Sequence, residues 1–246
     1  ESPVFEDNRS ATKAPAQGTP ILALTRSEPA TLLKSILFQI GPYCGMGVFA
    51  IFFLSYTPTI GHSRSAALTA VLLGTLSSIV MTPVYAALSD RIGRRPVIIA
   101  GITATAVLAF PIFHLVNTGS TATMVITVSL YIGFVMTSVN GVAPVMLTEL
   151  FPTEVRYTAV STSYQLAQTI GSGFSPLIAT TLLAAAGGGT NTWPIALFLV
   201  VISVASAWAA LSLPERSGRD LDAVRAPRPA ATSNRTVATA VDHSRG

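Results

Sequence analysis

Residues 66–88 and 97–116 carry no formal charge, yet between them the chain packs Ser89-Asp90-Arg91-Ile92-Gly93-Arg94-Arg95-Pro96. Three arginines and an aspartate cannot sit cheaply at the centre of a bilayer-spanning helix, where each costs roughly 2.5–3.5 kcal/mol even on a lenient insertion scale. The cluster therefore belongs in a loop between two membrane crossings. Four further stretches have the same apolar character, which gives six expected spans at about 33–57, 66–88, 96–116, 123–147, 158–186 and 193–213. Each meets the length of about 20 residues that a crossing requires. A mean hydropathy of +0.58 with 11% charged residues fits this reading. Soluble domains carry about 25% charged residues, so a soluble bundle is the poorer explanation.

Charge placement predicts orientation. If the spans alternate, Arg9, Lys13, Arg26, Lys34, the loop arginines, Arg156 and the six arginines from Arg216 onward all fall on one side. Of the 15 lysines and arginines, only Arg64 falls on the other. Basic residues accumulate in cytoplasmic loops, so both ends of the segment are expected in the cytoplasm of a cell inner (plasma) membrane, as a multi-pass protein. The net charge of +4 is then a topology signature, and no nucleic acid partner is called for. Three regions follow: a cytoplasmic segment at 1–32, a six-helix bundle at 33–213, and a basic cytoplasmic tail at 214–246, expected to be largely disordered. The chain opens on Glu1, which suggests a piece of a longer protein.

Polar side chains inside the spans are unevenly spread. Gln39 and Tyr43 lie four apart on one face of the first span, Asn140 precedes Pro144 by four in the fourth, and Tyr164, Gln165 and Gln168 cluster in the fifth. Asn140 and Gln165 each sit about seven residues from the arginine-rich end and Tyr43 about ten, roughly 10–15 Å deep. Hydrogen-bonding groups at a similar depth on three spans are compatible with a polar cavity and equally with interhelical hydrogen bonds. Pro42, Pro83, Pro111, Pro144 and Pro176 each remove a backbone donor, a source of kinks or of hinges. No span interior holds a carboxylate, and His114 lies near an outer end, where an interfacial role is the plainer reading. Metal-spaced His/Cys clusters, phosphate-cradling glycine loops and nucleophile triads are missing from the sequence, so neither an enzyme nor a bound cofactor is expected. The lone Cys44 reads as a small packing residue.

Four motifs in order resemble the major facilitator superfamily. The run Ala86 to Arg95 resembles its Gly-x-x-x-Asp-Arg-x-Gly-Arg-Arg loop, with Ala86 in place of the first glycine. Glu149-Leu150-Phe151-Pro152-Thr153-Glu154-Val155-Arg156 is similar to its Glu-x-x-Pro-x-x-x-Arg element, Leu213 to Arg219 to its Pro-Glu-x-x-Gly element, and Glu1 to Phe5 to the end of a sixth helix. Glu149 to Thr158 and Tyr164 to Pro176 look most like the metabolite:proton symporters of that superfamily. The resemblance implies an all-α membrane protein: helices seven to twelve, one half of a twelve-helix carrier that moves small carboxylates, shikimate-like acids, proline or betaine with protons by alternating access. Its partners would be the solute, the bilayer and the N-terminal six-helix half. It also implies a cytoplasmic latch in which Asp90, Arg91, Gly93, Arg94, Arg95, Glu149 and Arg156 take part. Asp90 would cap a neighbouring helix N-terminus and pair with arginine, Arg94 and Arg95 would engage Glu149 and helix C-terminal carbonyls, and Asp90, Arg94, Glu149 and Arg156 would form one network. Gln39, Tyr43, Asn140, Tyr164, Gln165 and Gln168 would line the substrate path. Two other classes compete: the permease subunit of an ATP-driven transporter, which needs a cytoplasmic coupling helix that the short loops leave little room for, and a non-transporting truncated membrane protein.

Overall fold

The structure, a computed structural model, describes residues 29–151 and 155–213. The expected tail at 214–246 and most of the segment at 1–32 lie outside these residues. Six helical rods follow one another: α1 (Pro29–Ile60), α2 (Arg64–Ile92), α3 (Arg94–Thr118), α4 (Thr121–Leu150), α5 (residues 156–185) and α6 (Trp193–Ser212). All regular structure among the described residues is helical, and the protein is a multi-pass membrane bundle. Five rods are long and apolar enough to cross a bilayer. The exception is α5, whose first half, Arg156–Gln168, is rich in Thr, Ser, Tyr and Gln. It is as long as its neighbours and falls short in apolarity alone.

Most rods run a few residues past their charge-free cores because local chemistry favours continuing the helix. Ser63 starts α2 by accepting from the Ala66 amide at 3.2 Å, and Ser120 starts α4 by accepting from Thr123 at 3.3 Å. Pro194 sits in the first turn of α6, where its missing N–H costs nothing. Gly93 alone joins α2 to α3: at φ 96° it takes a conformation open to glycine, while its N–H closes α2 on the Ser89 carbonyl at 3.0 Å. That requirement accounts for the glycine in the arginine loop.

Packing places α1 at the centre, against α5 and α6, while α6 also packs along α3 and α2 along α4. Of its most apolar window, α1 buries 67% and α2 only 17%, so α2 forms the flank of the bundle. Lipid tails are as apolar as leucine, so helix association here rests on close approach rather than on burial from water. Gly74 of α2 and Gly133 of α4 cross: a Cβ on the former would meet Ile132 Cβ at 2.7 Å, and one on the latter Ser77 Cβ at 2.6 Å. The core falls into two layers. One holds Phe49, stacked on Phe113 at 5.5 Å and tilted on Tyr131 at 4.4 Å; the other gathers Phe38, Ile98, Leu147 and Phe151 nearer the arginine-rich end.

Three rods depart from regular α geometry in mid-course. Gly47–Phe52 of α1, Tyr131–Met136 of α4 and Thr169–Gly173 of α5 are π-helical. In addition, α4 breaks into a turn at Gly141–Val142, where Pro144 has no N–H to offer the Asn140 carbonyl. The helices that carry Gln39 and Tyr43, Asn140, and Tyr164, Gln165 and Gln168 are thus the ones with widened turns, a feature that recurs at functional sites.

Candidate functional site

Two polar regions stand out, one within the bundle wall and one at its arginine-rich end. The first is a cleft of about 330 Å³ between α1, α2 and α4. Asn140 reaches it from the break in α4, joined by Thr137; Met46 lines it from α1, and Thr75, Ser78 and Thr82 from α2. The α2 hydroxyls spend their hydrogens on their own helix: Thr75 donates to Val71 at 2.8 Å, Ser78 to Thr75 at 2.6 Å and Thr82 to Ser78 at 2.7 Å. Their lone pairs remain free, so α2 presents acceptors, and Asn140 supplies both donors and an acceptor. No lining residue is ionisable. The cleft is neutral and largely apolar, with Val71, Ile132 and Met136 beside Met46, and its hydrogen-bonding groups form one stripe along it.

The expected path residues divide. Tyr43 and Tyr164 are half-buried and meet edge-to-face, with centroids 6.1 Å apart at 78°. Gln168, one turn beyond Tyr164 on the same face of α5, is exposed, as is Gln165. Neither glutamine lines the Asn140 cleft. Gln39 is 2% exposed, its Nε2 donates to the Ser35 carbonyl at 3.0 Å, and its Oε1 is buried without a partner among the described residues. Packing of α1 against α5 and α6 covers the face on which Gln39 lies, so in this conformation it lines no path. The sequence reading missed Thr75, Ser78 and Thr82, although their spacing of three and four places them on one helix face.

The second region is centred on Arg94. Its Nη1 pairs with Asp90 Oδ1 and donates to Ser89 Oγ at 3.0 Å, and its Nε lies 3.5 Å from Glu149 Oε1. One guanidinium thus joins the end of α2, the start of α3 and the end of α4. Asp90 pairs with arginine, and α3 starts from Gly93, which has no side chain to cap it. Arg156 stands apart: its Nε donates to the Phe151 carbonyl at 3.1 Å, and among the described residues it pairs with neither Glu149 nor Asp90. Arg91 is exposed, and the buried Nε of Arg95 has no partner among the described residues.

A fastening at the opposite end went unread in the sequence. Buried Tyr56 of α1 donates to Asn117 Oδ1 at 2.5 Å, while Asn117 Nδ2 donates to the Thr190 carbonyl at 2.9 Å and Thr192 Oγ1 at 3.0 Å. Asn117 follows an apolar run with no periodic signal, so only the fold reveals it.

Comparison with known proteins adds a family. Residues 10–226 match the model described as sugar (and other) transporter. The chain is 30% identical over 217 residues to the shikimate transporter of Escherichia coli (strain K12), covering 87% of this chain and 49% of that protein. It is 36% identical over 137 residues to the citrate-proton symporter of Klebsiella pneumoniae, covering 54% and 31%. Against the proline/betaine transporter of Escherichia coli (strain K12) it is 26% identical over 193 residues, covering 76% and 38%. The chain spans about half or less of the length of these curated relatives.

Proposed function

The chain belongs to the sugar (and other) transporter family of the major facilitator superfamily, and from that membership we propose that it forms the C-terminal half of a proton symporter for small organic acids or osmolytes. The observation that carries the proposal is the neutral cleft at Asn140, open on one flank of the bundle, where a stripe of hydrogen-bonding groups runs through a largely apolar lining. In this reading an N-terminal six-helix half faces that flank, and the solute is held between the halves while they rock. The wall contributed here offers carboxamide and hydroxyl groups, which suit a carboxylate or zwitterion once its charge is met from elsewhere. Proton coupling is supported by the name of the citrate-proton relative, and the coupling acid is assigned to the facing half.

The arginine-rich end is assigned to the cytoplasm of the inner membrane by its basic excess. There Arg94 works as a clasp. Held by Asp90, it reaches Glu149 across the α3–α4 junction and stabilises the conformation in which that end is closed. Arg91, Arg95 and Arg156 flank the clasp and are assigned to contacts with the facing half and with the loop after α4. The test is uptake by the complete gene product in proteoliposomes, with radiolabelled shikimate, citrate, proline and betaine under an imposed inward proton gradient. Accumulation of one of these solutes that collapses on adding a protonophore is expected. Uptake that instead requires ATP, or none with any of these solutes, overturns the reading.

A further inference from the structure

One hydroxyl from α6 bonds both ends of a turn of α1. Gly41 N–H donates to Ser206 Oγ at 2.9 Å, and Ser206 Oγ donates in turn to the Leu37 carbonyl at 3.0 Å. Leu37 and Gly41 are the two ends of one helical turn, and α1 stays α-helical through it, so Ser206 clamps the turn from outside. The close approach is possible because residue 41 is glycine: a Cβ there would meet Ser206 Oγ at 2.5 Å and Ser206 Cβ at 2.9 Å. Pro42, next along, leaves the Phe38 carbonyl without its usual donor.

Inside the pinned turn sits Gln39, buried, with its Oε1 unpartnered. A carboxamide oxygen with no hydrogen bond in a low-dielectric interior is a costly state. Rotating the turn would relieve it by carrying Gln39 out of the packed interior towards the open face, and Ser206 opposes that rotation by holding both ends. We propose that Ser206 is a positioning residue that keeps the 37–41 turn of α1 in its Gln39-buried register, and that its release turns Gln39 into the substrate path. The second clause rests on the carrier reading; the first does not.

The experiment uses the complete gene product in liposomes with Cys44 replaced by alanine, leaving Gln39→Cys as the only thiol in this segment. Modification by a membrane-permeant maleimide is timed with and without Ser206→Ala, and with Ser206→Thr, which keeps the hydroxyl. Gln168→Cys, exposed on α5, serves as the folding control, since its rate is to be the same in every background. Ser206→Ala is expected to speed modification at position 39 at least ten-fold, and Ser206→Thr to leave it within about two-fold of the parent. Equal rates at position 39 in the alanine variant and its parent, with the Gln168 control unchanged, overturn the proposal. So does an equal acceleration by alanine and threonine, which would mark Ser206 as mere packing. Accelerated modification without uptake of any solute supports the positioning role while the carrier reading fails. In a transporting protein, Ser206→Ala is expected to shift KM several-fold with kcat changed less, and a loss of kcat alone at constant KM overturns the link to the path.

Discussion

Breaking the Arg94–Glu149 contact gives the sharpest quantitative test of the arginine-rich end. Two unit charges 3.5 Å apart attract by about 1 kcal/mol in water and about 5 kcal/mol at an effective dielectric of ~20. The side chains are 21% and 31% exposed, so solvent screens the pair and the lower part of that range applies. A coupling energy of about 1–2 kcal/mol is expected, roughly a ten-fold change in an equilibrium constant. The assay is a double-mutant cycle of Arg94→Gln and Glu149→Gln, read by denaturant unfolding in detergent and by labelled distances across the arginine-rich end. The charge exchange Arg94→Glu with Glu149→Arg completes the set. Because Asp90 also holds Arg94, the exchange should recover only part of the coupling, as a glutamate at 94 would face Asp90. A coupling below about 0.3 kcal/mol, or an exchange no better than either single reversal, refutes the pairing.

Five further substitutions have outcomes that follow from the packing. Gly171→Ala should destabilise by about 1–3 kcal/mol, because its Cβ would meet the Ile40 carbonyl at 2.8 Å and the Cys44 amide at 3.1 Å, backbone atoms that cannot swing aside. Gly173→Ala, with nothing within 4 Å, should be neutral or slightly stabilising in the same unfolding assay. Asn117→Leu should cost about 2–3 kcal/mol by leaving Tyr56 and the Thr190–Thr192 segment without their shared partner, and Tyr56→Phe about 1 kcal/mol, both measured by thermal unfolding. Gln39→Leu should leave stability unchanged or improve it, since an unpaired buried oxygen is removed; in the same variant, loss of solute uptake would show that Gln39 acts in a conformation other than this one.

Membrane class and the arrangement of helices were legible because they depend on properties carried by residue type. Uncharged runs of about 20 residues, an arginine loop and glycine at position 93 leave few alternatives. The Arg94–Glu149 approach was legible only through the motifs that resemble the major facilitator superfamily, whose latch implies that contact. What the sequence hid depends on rotation about a helix axis. Gln39 and Tyr43 share a face by spacing, yet one is buried and the other half-exposed, because the packing of α5 and α6 sets where that face ends. The π-helical turns were equally hidden, since nothing in Gly47–Phe52 or Tyr131–Met136 by composition separates a widened turn from an α-helical one. Ser206 looked like an ordinary serine in an apolar run. Its role depends on a glycine 165 positions away in the chain.

The claim on which the functional account turns is that the cleft at Asn140 is a wall of the solute path. It is tested most directly by substrate protection: Asn140→Cys in the Cys44→Ala background, modified by a thiol reagent in proteoliposomes with and without saturating transported solute. Tyr157→Cys, 87% exposed at the start of α5, serves as the reference site. The account predicts that solute slows modification at position 140 at least ten-fold while leaving position 157 unchanged. Equal rates at position 140 with and without a solute that the protein demonstrably transports would contradict it.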